Sequence, residues 1–584
     1  MAKSANSATI AAEPKGTPEI MRLREHCDQM ITAMRNERMS WWTHWREIAD
    51  YFIPRRYKWL ITPNQGNRGA PINQRIVDNT GTVSLRVLSA GMMSGITSPG
   101  RVWFKLATDD SDLNDLSPVK LWLSDCQKRM GTVFSESNFY TALATIYTDL
   151  GSFGTGVMII YHDYDDVIRC YNSCAGEYFL AMDERQDIGT MAREFVLTTQ
   201  QVAEKFGLEN CSPNIQGAIA SGGANLTREI KVGHIIEKNT DLVVGAPGVK
   251  GMPWREVYWE MGQGTSYVLR VRGFYEKPFI APRWEIVGND PYGRSPCMDA
   301  LGDVKMLQVE QKRKAQAIDK HVNPPMVADV SLRNEPATML PGGVTYVANS
   351  NGVGFKPVYE IKPDFSGLAE DIKEVQGRVK TALFNDLFLM ISQLDTVRTA
   401  TEIDARREEK LIQLGPVLER FENEALDPAI TAVFDIMLRH GLFPPVPQEL
   451  SGRKIKVEYI SMLAEAQKAA STTGIERLAQ FAGNISAVRP EVLDNIDFDE
   501  AITEYADMLG VSPKTIVALA KVQQIRAARS QQQQAEQTLQ ASTAAAQGAQ
   551  TLSQTDVGGG VNALQKMLGA AWARRLSTSR TCAS

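Results

Sequence analysis

A long helical pattern that stops at two prolines, makes a short β excursion and then resumes constrains this chain more than any other feature. From Met298 to Val322 the residues read as one helix, with no Gly or Pro after Gly302. Asn323-Pro324-Pro325 ends it, because proline lacks an amide donor and its ring blocks a continuing turn. PPMVADV, GGVTYVAN and GFKPVYEI follow as three strand-like pieces separated by Gly and Asn turn signals. Helical pattern returns from Phe365 to Asn385. Two helices of roughly 20 residues, each ~30 Å long, with a small β cap between their far ends, make a stalk. Leu301, Val304, Gln308, Gln311, Ala315 and Ile318 recur at alternating steps of three and four, a heptad seam with a polar middle. A stalk this polar has no core of its own and is expected to need neighbouring copies.

At 584 residues the chain has room for two to four compact regions. Its 43% hydrophobic and 22% charged residues are ordinary for a soluble globular protein. No uninterrupted apolar run reaches membrane-spanning length. MAKSANSATIAAEPKGTPE lacks a long apolar stretch and reads as a flexible arm, not a signal peptide. The net charge of −5 excludes a simple DNA-coating protein, whose affinity would come from excess Lys and Arg. From Lys521 to the end, however, seven basic residues face two acidic ones, a local +5.

The opening helix is expected from about Glu19 to Tyr51, with Trp41, Trp45 and Ile48 on one apolar face. Those tryptophans could stack on bases, but packing against the next helix is the simpler reading. Pro54-Arg55-Arg56 should end the helix with its arginines solvated. A second helix is expected from Asp78 to Ile96, followed by an α+β region from Trp103 to about Ile286. There VMIIYHD, REFVLTT and SYVLRVRGFYEKPFI read as strands, TTQQVAEKFG as a short helix stopped by Gly207, and Ser212–Asn225 and Gly245–Gly251 as loops. Glu402–Asn423 is helical and heavily charged. KIKVEYIS is a strand, and helices follow at Ala464–Ala482 and Phe498–Leu509. After Ser512-Pro513 comes an Ala/Gln-rich helix that needs copies of itself to stay helical, with order expected to fail past Gln531.

Catalytic and metal signatures were sought and none carries weight. No Gly-x₄-Gly-Lys-Ser/Thr loop is present, so the chain is not an ATP-driven motor. The glycines at 151, 154 and 156 lead into a strand and read as a tight turn. Ser94 is one position late for a nucleophile elbow between Gly91 and Gly95. Asp163, Asp165 and Asp166 read as a polar turn. Cys170 and Cys174 form a C-x₃-C pair with no second pair to complete a zinc site, so the seven cysteines are expected to be free thiols. No cofactor and no metal are expected, and the chain is not expected to be an enzyme.

Three blocks resemble one family. VGNDPYGRSPCMDALGDVKMLQ (Val287–Gln308) resembles the wing-to-stem junction of portal proteins, the head-to-tail connectors of short-tailed bacteriophages. Thr399–Pro447 is similar to the long helix that follows the stem in that family, and Asp78–Leu106 to its N-terminal helix and Ser-Pro-x-x-x-Trp-Phe strand. The resemblance implies an α+β portal fold with an α/β wing, a helical stem, a small β clip and a helical C-terminal crown or barrel. The implied layout is an arm (1–20), wing (21–297), stem helices (298–323 and 365–386), clip (324–364) and tunnel loop (387–400). A long wing helix, strand and crown-proximal helices (401–510) and a crown or barrel helix with a low-complexity tail (511–584) complete it.

By the same resemblance, Gln393, Asp395 and Arg398 of the tunnel loop touch DNA in the channel. Lys305, Lys312, Glu370 and Glu374 are candidates to line the stem, either in salt bridges between neighbouring stems or, for the lysines, on phosphates. Val330, Thr345, Tyr346, Lys356 and Tyr359 are candidates for docking at the clip. The implied function is a ring, a dodecamer in the family, at one capsid vertex, through which DNA is packaged and ejected. Implied partners are double-stranded DNA without sequence preference, the terminase large subunit, a tail adaptor, and capsid and scaffolding proteins. The implied location is the virion, with host cytoplasm during assembly. The alternatives are an internal virion enzyme, a nuclease or lytic protein using Asp163–Asp166, or a capsid component without a channel.

Overall fold

Thr17 starts the first helix, α1 (Pro18–Phe52), by accepting from the Ile20 amide, and Pro18 occupies a first-turn position where no amide is needed. The helix carries one stripe at steps of three and four: Arg24, Cys27, Ile31, Met34, Arg38, Trp45, Ile48 and Phe52 are all buried. In the computed structural model, the described residues are 17–57, 74–110, 113, 114, 116–262, 267–327, 356, 357, 365–392, 414–450, 455–459, 478–485, 497–499, 501, 502, 517, 519–554, 563, 564, 566–568 and 570. The chain divides into two compact units, Met1–Lys468 and Ala469–Ser584. No helix among the described residues is long and apolar enough to cross a membrane.

The first unit is α+β. After α1 come α2 (Thr80–Ile96), β1 (Phe104–Thr108), α3 (Ser117–Glu136) and α4 (Phe139–Phe153). Strands β2 (Val157–Asp163), β3 (Val167–Ser173), β4 (Tyr178–Met182) and β5 (Ile188–Thr198) follow, then α5 (Thr199–Phe206) and α6 (Pro213–Ser221). Next are β6 (Glu229–Lys238), β7 (Trp254–Glu260), β8 (Arg270–Phe274) and β9 (Phe279–Ile280). The strands make a five-stranded antiparallel sheet in the order β4-β5-β6-β7-β8 and a three-stranded one in the order β3-β2-β9.

The N-terminal half of α1 lies on the larger sheet, where Cys27, Ile31 and Met34 pack on Phe179, Ala192, Ile235, Val257 and Trp259. Its C-terminal half enters the main core with α2 and α4, through Trp45, Ile48, Phe52, Leu85, Leu88, Met92, Ile146 and Leu150. Each such side chain removed from water contributes roughly 1.5–3 kcal/mol. The apolar face of Trp45 and Ile48 is therefore a packing face. Between the two halves, Arg38 lies 3.8 Å from the Phe179 ring centre and donates to the Gly176 and Tyr178 carbonyls.

Several expectations change on folding. Ser212–Asn225 is not a loop: Ser212 accepts from the Ile215 amide and, with Pro213 next, starts α6. Arg55 is exposed as expected, but Arg56 is only partly exposed; it pairs at 2.8 Å with Asp149, which is wholly buried on α4. Asp163 accepts from the Asp166 amide, so these aspartates do form a turn, between β2 and β3. Cys27, Cys126, Cys170, Cys174, Cys211 and Cys297 are buried, and no disulfide forms among the described residues. Gly154, with φ +75°, caps α4, and a Cβ there would lie 2.2 Å from the Gly293 carbonyl oxygen. The backbone entering β2 and the backbone leading to the stem touch at these two glycines.

The two helices expected to form the stem are α7 (Pro296–Val322) and α8 (Phe365–Ala382), followed by α9 (Asn385–Ser392). Ser295 starts α7 by accepting from the Met298 amide while its hydroxyl donates to the Ser152 carbonyl. Between the helices, β10 (Met326–Val327) and β11 (Lys356–Pro357) pair antiparallel. The rest of the three-piece β excursion lies outside the described residues. Residues 414–421 are helical and pass through a π-helical turn, Glu422–Leu426, into α10 (Asp427–Arg439). Arg283, before the stem, pairs with Glu424 of that turn at 2.7 Å. Finally β12 (Ile455–Tyr459) pairs with β1, bringing Thr108 opposite Ile455.

In the second unit, α11 (Leu519–Gln554) is a continuous helix of 36 residues whose described side chains are nearly all exposed. The helix continues past Gln531 to Gln554. Arg526 on this helix forms two hydrogen bonds, of 2.6 and 2.7 Å, to the Asp499 carboxylate.

Candidate functional site

The expected stem, the pair α7 and α8, is the candidate site, and its two helices meet through a small apolar seam of Leu307 against Leu368, Ile372 and Val375. Arg378 on α8 reaches Asp303 on α7 at 3.3 Å and Glu374 on its own helix at 3.2 Å. At the stem root, polar side chains replace the seam. Gln308 accepts from the amides of Val77 and Asp78 at 2.7 and 2.8 Å and donates to the Asp78 carbonyl at 3.0 Å. Gln311 and Gln376, one from each stem helix, donate to the Asp78 carboxylate at 2.9 and 2.8 Å. Burial works to raise the Asp78 pKa, but the hydrogen bonds from Thr80, Gln376 and Gln311 outweigh it and hold the carboxyl below its ordinary range.

The polar middle of the heptad seam thus clamps the chain entering α2. The expectation that the seam lacks partners within one chain fails at its root: Leu301, Val304 and Gln308 are buried there. It holds beyond that point, where Ala315 is exposed and Ile318 and Val322 are 44% and 76% exposed. An α-helix that leaves large aliphatics in water along one half has not completed its packing.

Of the residues singled out for the stem, Lys305 pairs with Glu47 of α1 at 2.7 Å and lies 5.8 Å from the Tyr51 ring centre. Lys305 therefore braces α7 against α1 of the same chain. Lys312 is exposed and forms no ion pair among the described residues. Glu370 and Glu374 are exposed on α8. In the clip, Lys356 stands opposite Val327 in the β10–β11 pair, whereas Val330, Thr345, Tyr346 and Tyr359 lie outside the described residues. So do Gln393, Asp395 and Arg398 of the tunnel loop.

The approach to that loop is described. Leu387 and Phe388 of α9 are buried, as their apolar run requires. Phe388 packs so closely on α2 that a Cβ at Gly91 would lie 2.2 Å from the ring. Sequence reasoning did not find the clamp formed by Asp78, Gln311 and Gln376 with Gln308. The available signal was the pair of glutamines at seam positions, where apolar residues would otherwise be expected.

Comparison with known proteins covers nearly the whole chain. Residues 24–517 match the family model described as bacteriophage head to tail connecting protein. The portal protein of Salmonella phage epsilon15 is 44% identical over 535 residues, covering 91% of this chain and 96% of that protein. The probable portal protein of Bordetella phage BPP-1 is 43% identical over 507 residues, 86% of this chain and 90% of that one. Among solved structures, a chain from the virion of native gene transfer agent particle aligns with 9% identity and a TM-score of 0.32. That alignment covers 69% of this chain and 86% of the other, and is too loose to bear on the fold.

Proposed function

This chain belongs to the bacteriophage head to tail connecting proteins, and from that premise we infer how its stem serves a portal. It is a portal protein of the virion capsid. Its work is mechanical: copies close into a ring, the stems form the channel wall, and DNA passes through the axis during packaging and ejection. The observation that carries this reading is the uneven partnering of α7. Its root is clamped to its own chain through Gln308 and Lys305, while Ile318 and Val322 farther along are left in water. Closed cyclic symmetry supplies a neighbouring stem to cover such a flank without leaving an open end.

The finer assignments follow the family layout. Twelve copies form the ring, the wing spans 21–297, and the stem spans 298–323 and 365–386. Lys312, Glu370 and Glu374, all exposed on one subunit, face a neighbouring stem or the lumen. The tunnel loop (387–400) contacts duplex DNA without reading sequence, through Gln393, Asp395 and Arg398. The clip (324–364) docks the terminase large subunit and later a tail adaptor, with Val330, Thr345, Tyr346, Lys356 and Tyr359 at the docking rim. The wing meets capsid and scaffolding proteins during assembly in the host cytoplasm, and copies of α11 bundle into a crown or barrel. The exposed length of α11 supports that bundling, since an Ala/Gln-rich helix buries little by itself.

The test is particle shape and mass. Full-length protein should form closed rings with a central hole in negative stain, and Ile318→Asp combined with Val322→Asp should weaken the rings without changing helix content. A stable 64.6 kDa monomer of the unaltered chain at micromolar concentration overturns the reading.

A further inference from the structure

The face of the five-stranded sheet opposite α1 carries a row of polar side chains placed directly across neighbouring strands. Arg193 pairs with His234, His234 with Tyr258, and Tyr258 with Arg270, while the adjoining row sets Glu256 opposite Arg272. Arg193 Nε donates to His234 Nδ1 at 2.9 Å, so that nitrogen bears a lone pair and the ring hydrogen is on Nε2. His234 Nε2 then donates to Glu256 Oε1 at 2.9 Å. Glu256 also accepts from Arg272 Nε at 3.0 Å, from Tyr258 at 3.1 Å and from the Tyr161 hydroxyl. This single carboxylate is fully engaged.

Two further cations stand beside it. Helix α5, stopped by Gly207 at φ +84°, lays Lys205 and Phe206 over Tyr258. The Lys205 ammonium is 5.3 Å from the Tyr258 ring centre and the Arg270 guanidinium 5.0 Å; from Phe206 they are 5.5 and 5.3 Å away. Both cations are seated on the same two rings, an arrangement that fixes them without neutralising them. Neither has a carboxylate partner among the described residues, and Arg270 Nε is buried without a hydrogen-bond partner there. Partial burial, then Arg193 and Arg270, press the Lys205 pKa down to about 8.

Lys205 and Arg270 open onto a cleft of 1110 Å³ beside edge strand β8, with Arg22, Asn210 and Thr240 also on its walls. Most other charges there are already paired: Lys250 with Glu19, Arg255 with Glu237 and Asp241, and His26 with Glu237. Glu209 is the acidic lining residue outside those pairs among the described residues. We propose that this cleft binds a phosphate-class oxyanion between Lys205 and Arg270. The guanidinium would supply directed donors and the ammonium a point charge, in a setting where charge-assisted hydrogen bonds replace a missing counter-charge. A free phosphate and the phosphodiester of a nucleic acid share that chemistry.

The test uses the full-length assembled protein and amine acylation of Lys205, followed by peptide mass spectrometry. With inorganic phosphate, acylation of Lys205 should slow by about tenfold relative to sodium chloride at matched ionic strength, while exposed Lys128 is unaffected. Arg270→Gln should abolish that protection. Lys205→Gln, at an exposed position, should remove the phosphate-dependent rise in melting temperature and keeps the test valid if the Arg270 variant fails to fold. A short DNA duplex provides the second arm: protection by duplex assigns the site to a nucleic-acid backbone, and protection by phosphate alone assigns it to a small anion. Equal acylation in phosphate and chloride overturns the proposal. So does a Lys205 that is unreactive in chloride, because a second copy would then cover the cleft.

Discussion

Gln308 and Asp78 hold each other across the stem root: the Gln308 amide oxygen accepts from the Asp78 amide at 2.8 Å, and its nitrogen donates to the Asp78 carbonyl at 3.0 Å. The same oxygen takes the Val77 amide at 2.7 Å, so one buried side chain satisfies the backbone on both sides of the peptide entering α2. Helix α7 therefore holds the backbone that leads into α2 through a side chain.

Gln308→Leu should lower the stability of the folded chain by about 1–3 kcal/mol, because it removes the three hydrogen bonds that tie α7 to the backbone entering α2. Chemical denaturation measures it. Gln311→Leu removes only one of the two glutamine donors to the Asp78 carboxylate and should cost clearly less. Equal costs would show that the clamp is not centred on Gln308.

Gly91→Ala should destabilise by about 1–3 kcal/mol, since the added methyl overlaps a packed ring. The ring belongs to Phe388, 2.2 Å from the position a Cβ would take. Phe388→Leu in the same chain should recover part of the loss, a coupling that a double-mutant cycle reads directly. Additive effects would place the strain elsewhere.

His26 joins α1 to the end of β6 through Glu237 at 2.9 Å. The Glu237 hydrogen bond raises the His26 pKa above 6.5, against the opposing effect of burial. A raised folded-state pKa gives stability that is complete below the unfolded value and is lost as pH climbs through the folded value. The melting temperature of the native chain relative to His26→Ala should therefore be higher at pH 6 than at pH 8. A difference that is flat with pH, or that grows toward pH 8, would rule out this linkage.

Shortening the segment from Met390 to Arg398 should leave rings, capsids and terminase docking normal and should produce incomplete packaging or leakage of DNA. Asp395 partly offsets Arg398, so contacts there should be weak and independent of base sequence. Particles that carry the shortened loop and retain full-length genomes would leave the segment a plain connector.

The helices of this protein were legible because their signals are local. Thr17-Pro18 and Ser295-Pro296 mark starts, Pro54 and Pro324 mark stops, and α1 and α7 run between them nearly as expected. Strand β2 coincides with VMIIYHD for the same reason. α6 differs from the expected loop, although Ser212-Pro213 is itself a local start signal. The portal family was legible from three separated blocks, since residue identity at a junction survives without any knowledge of contacts.

The sequence alone determined the bounds of the long helices α1 and α7, where they must break, and that a pair of helices this polar has no core of its own. Tertiary structure decided which polar residues became partners. Arg56 meets buried Asp149, Arg283 meets Glu424, Lys305 meets Glu47, and Gln308 meets Asp78. None of these pairs has a local signature, because helix capping and periodicity act over a few residues while these partners are far apart in the chain. A polar side chain that can satisfy itself in water acquires a specific partner only when packing removes the water around it. Which surfaces meet is set by the layering of α1, the sheets and the stem.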